Sequence, residues 1–176
     1  MRKYAKALLL VFVALLYAGS AAAVNVSVAG PMSANESDVI NVDVVLDSQG
    51  EPIYGYLMNV YFDPAVLSSQ GGTYHPLPLE AYGSLYAYPD NWYITATHWT
   101  GAAPLVQSVA TLVFHVMNVT GSTYTDIVPV VTTMLGTGGL DVGASVTPLS
   151  IHVPEPTTTM LMGLGLLGIL YAGRRR

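Results

Sequence analysis

Apolar and polar residues alternate with a period of two through most of the chain between positions 24 and 153. Ile40-Asn41-Val42-Asp43-Val44 is the plainest run. Tyr54 to Phe62 sets Tyr56, Met58, Val60 and Phe62 on one face, and Leu105 to Met117 does the same with Ala110, Leu112, Phe114 and Val116. Successive side chains of a strand point to opposite sides, so these runs are half-buried strands rather than amphipathic helices. Val24–Ala29, Trp92 to Thr97, Ile127 to Thr132 and Leu149 to Val153 bring the set to about seven strands. Pro31 to Ser37 and Asp47-Ser48-Gln49-Gly50 supply turn chemistry between them. The pattern predicts an all-β domain over residues 24–153, an antiparallel two-sheet sandwich.

The two ends follow other rules. In residues 1–23, Arg2, Lys3 and Lys6 precede the apolar run Ala7 to Leu16, and Ala21-Ala22-Ala23 offers a small-residue cleavage site. That is the layout of a secretory signal peptide, with the mature chain starting near Val24. In residues 154–176, Pro154 and Pro156 remove two backbone donors and hold Glu155 extended, which makes a stiff peptide an enzyme could grip. Residues 157–173 carry no charge, and as a helix they would reach about 25 Å, slightly short of a hydrocarbon core of about 30 Å. Arg174, Arg175 and Arg176 then form a basic stop that stays on the cytoplasmic side.

This order of Pro-Glu-Pro, Gly/Leu-rich helix (Gly163, Gly165, Gly168) and arginine cluster resembles the PEP-CTERM sorting signal of bacterial exported proteins. The resemblance implies that Pro154, Glu155 and Pro156 are the motif read by an exosortase, an integral-membrane cysteine transpeptidase. Export would use the Sec machinery. The protein would be held in the inner membrane by residues 157–173, then processed and passed to the cell surface or an extracellular, biofilm-type matrix. A plain single-pass anchor would need the helix and the arginines but not the Pro-Glu-Pro.

Charge sharpens the picture of the domain. All six basic residues lie in the two end segments, while ten of the eleven carboxylates lie between Val24 and Val153. The domain therefore carries a formal charge of −10 with histidines neutral, and no lysine or arginine. It has no cation with which to displace the counterions of a phosphate backbone, so a nucleic-acid partner is excluded. The chain has no cysteine, which removes disulfides, metal thiolates and thiol catalysis together. Stability has to come from apolar burial and backbone hydrogen bonds.

Within that frame, Tyr56 to Leu67 ends a strand in the corner Phe62-Asp63-Pro64-Ala65-Val66-Leu67, and Ala110 to Val116 later carries an apolar alternation into an aromatic. Together with the early strand Val39 to Leu46, the set is similar to the cohesin-type and related carbohydrate-binding sandwich domains. That resemblance implies a cohesin-like jelly roll whose role is protein–protein binding, as when cohesins capture calcium-loaded dockerins. This chain has one such domain and no scaffold repeats, so the fold transfers and the dockerin partner does not.

No catalytic constellation is evident: there is no His-Glu-x-x-His, no Gly-x-Ser-x-Gly and no phosphate-cradling loop. His75, His98, His115 and His152 are scattered without metal-ligand spacing. Calcium is the metal a carboxylate-rich surface would take, but the nearest acids, Glu36/Asp38 and Asp43/Asp47, lack an EF-hand arrangement. The reading is a non-enzymatic protein without a cofactor. Residues 74–99 concentrate Tyr74, Tyr82, Tyr86, Tyr88, Trp92, Tyr93 and Trp99, with Pro76, Pro78, Pro89 and Gly83 expected to interrupt any regular strand. Two readings stand for this segment. Tyr82, Tyr86, Tyr88, Trp92 and Trp99 present rings on loops to a polysaccharide or a protein, or the segment covers the end of the sandwich with a satellite core. Trp92 and Tyr93 are adjacent, so a strand would send at most one of them into the core.

One consequence needs no structure. With no lysine or arginine from Val24 to Val153, trypsin should leave this region as one fragment even in denaturant. Mass spectrometry of the digest checks it; an internal cut in this region would be the contrary result.

Overall fold

A computed structural model describes residues 24–78, 80–102, 106–117, 121, 123–155 and 164–165. The N-terminal segment 1–23, Pro156, most of the apolar tail and Arg174–Arg176 lie outside the described residues. Leu164 and Gly165 are helical. Among the described residues no helix is long and apolar enough to cross a membrane.

Ten strands fold in the order β1 (Val24–Ala29), β2 (Val39–Asp47), β3 (Ile53–Tyr61), β4 (Leu67–Tyr74), β5 (Glu80–Ala87), β6 (Asn91–Ala102), β7 (Val106–Val116), β8 (Thr123–Leu135), β9 (Ala144–Thr147) and β10 (Leu149–Val153). A single 3-10 turn, Thr137–Gly139, follows β8. They form two five-stranded sheets, β4-β7-β2-β1-β9 and β10-β8-β3-β6-β5. The predicted sandwich is therefore present, with three strands more than the alternation revealed. It is also not wholly antiparallel: β1 and β9 run parallel, with Val24 opposite Ala144.

The alternation places the core as expected. Ile40, Val42, Val44 and Leu46 of β2, Met58 and Val60 of β3, and Leu112, Phe114 and Val116 of β7 are buried between the sheets. The corner after β3 is structural. Asp63 accepts the amide of Ala65 on its side chain at 2.8 Å, and its carbonyl accepts Val66 and Leu67 N–H. This turns the chain so that Phe62 meets Phe114 edge-on, with centroids 4.9 Å apart, and Leu67 is fully buried.

The two sheets are closed at the β4/β5 side by one hydrogen-bonded link. Tyr74, at the end of β4, donates its phenol to Glu80 Oε2 of β5 at 2.5 Å and lies 3.2 Å from the phenol of Tyr56 on β3. Its proton is spent on Glu80, so Tyr56 is the donor in the second bond. Gly83 makes room for this crossing: a Cβ there would collide with Glu80 Oε1 and the Tyr74 phenol. Gly72 of β4 similarly lets Leu85 and the Trp92 ring approach its backbone.

Burial pushes the Tyr56 phenol well above its ordinary pKa, and burial with the Glu80 hydrogen bond does the same to Tyr74. A group whose folded pKa exceeds its unfolded value of about 10 adds stability that is complete below that pH and is lost as pH rises. For Tyr56 the loss should run at about 1.4 kcal/mol per pH unit above about pH 10. Tyr56→Phe should flatten the alkaline limb of the stability curve by that slope, at a neutral-pH cost of about 1 kcal/mol. Urea unfolding between pH 9 and pH 11 measures both; an unchanged alkaline slope would be the contrary result.

Candidate functional site

The aromatic segment is a hairpin and not a set of loops. β5 and β6 pair in antiparallel register, with Tyr82 opposite Thr97, Ser84 opposite Thr95, Tyr86 opposite Tyr93 and Ala87 opposite Trp92. The prolines flank the strands at positions 76, 78 and 89 instead of interrupting them, and Gly83 sits inside β5 because Tyr74 needs the space. The alternation then sorts the rings. Trp92, Ile94 and Ala96 point inward and are buried, while Tyr93, Thr95 and Thr97 point outward.

Trp92 is only 3 % exposed, so it is a core residue and not a ligand platform. Its indole Nε1 is buried without a hydrogen-bond partner, as is Thr125 Oγ1. Tyr82 and Tyr86 are exposed and come together, their phenols 3.4 Å apart, with Ser84 Oγ donating to Tyr82 at 2.8 Å. The Ser84 and Tyr86 hydroxyls hold the Tyr82 phenol below its ordinary pKa. Tyr93, which the sequence reading left out of the binding set, lies beside Tyr86 with centroids 6.2 Å apart. The period-two parity of Trp92, Ile94 and Ala96 was the signal that could have exchanged Trp92 for Tyr93. Tyr88 is exposed at the β5–β6 turn. The Trp99 side chain lies outside the described residues, although its backbone continues β6.

These tyrosines form one end of a broad surface. Across the outer face of the second sheet, Tyr86 and Tyr93 are followed by Asn59 and then Val130, and one row away Ser84 and Thr95 are followed by Leu57 and Thr133. Asn91 Nδ2 donates to Asn59 Oδ1 at 2.8 Å, which fixes two amides on this face. Gly55 lacks a side chain and leaves a shallow depression of about 180 Å³ bounded by Leu57, Thr95, Thr97, Thr133 and Leu135. From Val128 to Tyr86, no charged side chain stands among the described outward residues. Asp126 marks the border toward β10.

A second depression, about 450 Å³, lies between Pro64, Leu67, Ser68, Tyr88, Pro89 and Met117 at one end of the sandwich. The opposite face of the molecule holds a His75–Thr111–Asp43 arrangement, with His75 Nε2 2.8 Å from Thr111 Oγ1 and Thr111 donating to Asp43 Oδ1 at 2.5 Å. The hydroxyl proton is committed to Asp43, so His75 must be the donor to Thr111. An imidazole that donates to a hydroxyl cannot also deprotonate it, and this is not an activated nucleophile.

Of the acids considered for calcium, Asp43 accepts the Thr111 hydroxyl, and Asp38 and Asp47 are engaged by the backbone. Asp38 Oδ2 accepts Asn35 N–H at 2.7 Å, and Asp47 Oδ1 accepts Gln49 N–H at 3.0 Å. Among the described residues no group of three His, Asp or Glu side chains is placed to hold a metal ion.

The Pro-Glu-Pro begins where the sheet stops. β10 ends at Val153, which is fully buried; Pro154 is half-buried and Glu155 exposed. Pro156 and the three arginines lie outside the described residues.

Trp92→Ala should destabilise the domain by about 3–5 kcal/mol, as for a buried aromatic. Tyr86→Ala should change stability by less than about 0.5 kcal/mol, as for an exposed position. Chemical denaturation of the two variants separates the core assignment from the surface assignment.

Comparison with known proteins fits both parts of the chain. Residues 152–176 match the PEP-CTERM protein-sorting motif. No curated protein sequence matches the chain. Among solved structures, the non-cellulosomal cohesin of the hyperthermophilic archaeon Archaeoglobus fulgidus superposes with a TM-score of 0.62 at 12 % identity, over 75 % of this chain and 91 % of that one. A cohesin from Clostridium acetobutylicum gives 0.59 at 19 % identity over 75 % and 91 %. The cohesin module of a family 33 glycoside hydrolase from Clostridium perfringens gives 0.61 at 7 % identity over 77 % and 99 %. At such identities the likeness concerns the fold alone. The chain thus carries a PEP-CTERM protein-sorting motif directly behind a domain with a cohesin-like fold.

Proposed function

We propose that this is an exported, non-enzymatic surface protein that binds a protein partner through the outer face of the β10-β8-β3-β6-β5 sheet. Its tail is the substrate of an exosortase that delivers it from the inner membrane to the surface or matrix. The observation that carries the binding half is the uncharged, tyrosine-bordered face from Val128 to Tyr86 on a domain whose formal charge is otherwise −10. Charges are depleted where protein interfaces have their centres and enriched on free surface, and tyrosine is among the residues favoured there. Four strands, β8 to β5, at about 4.8 Å spacing and nine residues at about 3.3 Å give a face of about 14 by 30 Å, roughly half of one side of a standard protein interface. The cohesin-like fold supports the same class of role, since one of the similar structures is a complex of a cohesin with its Doc partner. The motif at residues 152–176 supports the sorting half. No cofactor enters this reading.

A second reading rests on the Tyr82–Ser84–Tyr86–Tyr93 group alone. Rings and hydroxyls at a shallow sheet edge also suit the neutral face of a sugar, which would make the domain an exopolysaccharide-binding module. The two readings separate on one experiment. Purified wild type and Tyr86→Asp are compared for retention of a protein from surface extracts of an exopolysaccharide-producing host and for retention on a polysaccharide array. The leading reading expects a protein retained by wild type and reduced about tenfold or more by Tyr86→Asp, as for a charge placed among interface tyrosines, with no array binding. Array binding lost in the variant would replace it with the sugar reading; a retained protein indifferent to Tyr86→Asp would remove this face from the interface.

A further inference from the structure

The matched sorting motif begins at His152, inside β10. Tail and fold therefore share His152 and Val153, and this has a consequence for how an enzyme can hold the tail. Peptidases commonly grip a substrate as an extended strand, using backbone hydrogen bonds on both sides of the motif. Upstream of Pro154 that grip is unavailable here. On one edge β10 pairs with β8, His152 opposite Tyr124 and Val153 opposite Thr123. On the other edge Ala34 N donates to the carbonyl of His152 at 3.1 Å, and His152 N donates to the carbonyl of Met32 at 2.9 Å. Ile151 and Val153 point into the core and are fully buried.

The exposed carboxylate of Glu155 follows two residues later, so its Cα lies within about 7 Å of that of Val153. An active site that holds Pro154-Glu155-Pro156 must press against whatever surrounds the exit. Tyr124, 71 % exposed, stacks on the His152 ring with centroids 4.7 Å apart, and Met32 is 80 % exposed. The stacked Tyr124–His152 pair, and Met32 bonded to His152 through its backbone carbonyl with its own side chain in solvent, surround the point where the tail leaves the fold. The same pole carries Asp38 and Asp63 at its turns, and no lysine or arginine balances them.

We propose that Met32, Tyr124 and His152 form a docking surface for the extracytoplasmic face of the membrane peptidase, replacing the upstream peptide contacts that β10 withholds. The complementary surface is an apolar patch with a basic rim. This rests on the reading of the tail as an exosortase substrate. An anionic bilayer is the poorer occupant, because its headgroups would repel the pole's carboxylates.

The test uses the full-length chain in a host that carries the enzyme, following loss of the tail by pulse-chase and mass. The combination Met32→Ser with Tyr124→Ser should slow processing about fivefold or more, as for removal of interface anchors, without moving the thermal midpoint of the purified protein. Tyr124→Phe should restore most of the rate. A six-residue Gly-Ser spacer between Val153 and Pro154, which detaches the motif from the pole, should slow processing comparably. Glu155→Ala reports on the tail reading itself and should block processing. If the double variant is processed at the wild-type rate while Glu155→Ala is blocked, the docking surface is wrong and the tail reading stands. If Glu155→Ala is processed normally, both fall. If the double variant leaves processing intact but weakens binding of the full chain to phosphatidylethanolamine/phosphatidylglycerol vesicles, the pole faces lipid and the proposal is overturned.

Discussion

With no lysine, arginine or cysteine between Val24 and Val153, the domain is held without disulfides or lysine and arginine ion pairs, by the apolar layer sealed between its two sheets and by hydrogen bonds. Carboxylates on such a chain cannot be neutralised by the usual partners, and leaving them unpaired at the surface adds mutual repulsion. The structure answers by using them as turn acceptors. Asp38, Asp47, Asp63 and Asp141 each accept a backbone amide within three residues, and Glu51 accepts the amide of Thr137 across the molecule. Each such bond satisfies an N–H that a tight turn would otherwise leave to water. The acids are thus concentrated at turns and strand ends, and the long sheet faces are free of most of them. An uncharged outer face on an acidic domain follows from where the charges are needed.

The closure at β4 and β5 governs which surfaces remain. Tyr74 reaches from the end of one sheet to Glu80 on the edge of the other, and Gly83 exists to let it pass. With that side sealed and β10 flanked by residues 32–34, three of the four sheet edges, β4, β5 and β10, are covered or joined. Recognition then falls to the broad face and to the poles. The rings that matter there are the ones the hairpin turns outward, Tyr82, Tyr86 and Tyr93, because the same pleat drives Trp92 inward.

Legibility followed physical cause. β2, β3, β7 and β10 could be read because one face of each is an uninterrupted apolar row, and the Phe62-Asp63-Pro64 corner could be read because Asp before Pro suits a turn. β4, with Leu67-Ser68-Ser69-Gln70-Gly71-Gly72-Thr73-Tyr74, is mostly polar; its Gly72 serves the close approach of Trp92 and Leu85, a tertiary cause invisible locally. β5 looked like a loop for the same reason. β9 is four mostly exposed residues held by pairing with β1 alone. In the candidate site Tyr82, Tyr86 and Tyr88 are exposed and Trp92 is buried; adjacency shows that only one of Trp92 and Tyr93 can enter the core, but which one depends on the register of β6, which local sequence does not state. The tail was legible because an enzyme reads it as a linear peptide, so its chemistry has to be written in order along the chain.

Fold and address meet at β10, and the meeting constrains both. Pulling the tail away from the domain would extract Ile151 and Val153 from the core, at about 1.5–3 kcal/mol for each buried side chain. It would also break the bonds that His152 makes with residues 32 and 34. Together these approach the whole stability of a small domain, about 5–15 kcal/mol. Peeling β10 to lengthen the peptide is therefore close to unfolding, and the folded state offers the sorting motif only as a short stub from Pro154 onward. A partner that handles the stub must accept the sandwich as part of its substrate. Under the proposed docking, the acidic turns and exposed rings at that pole act together with the Pro-Glu-Pro as the address.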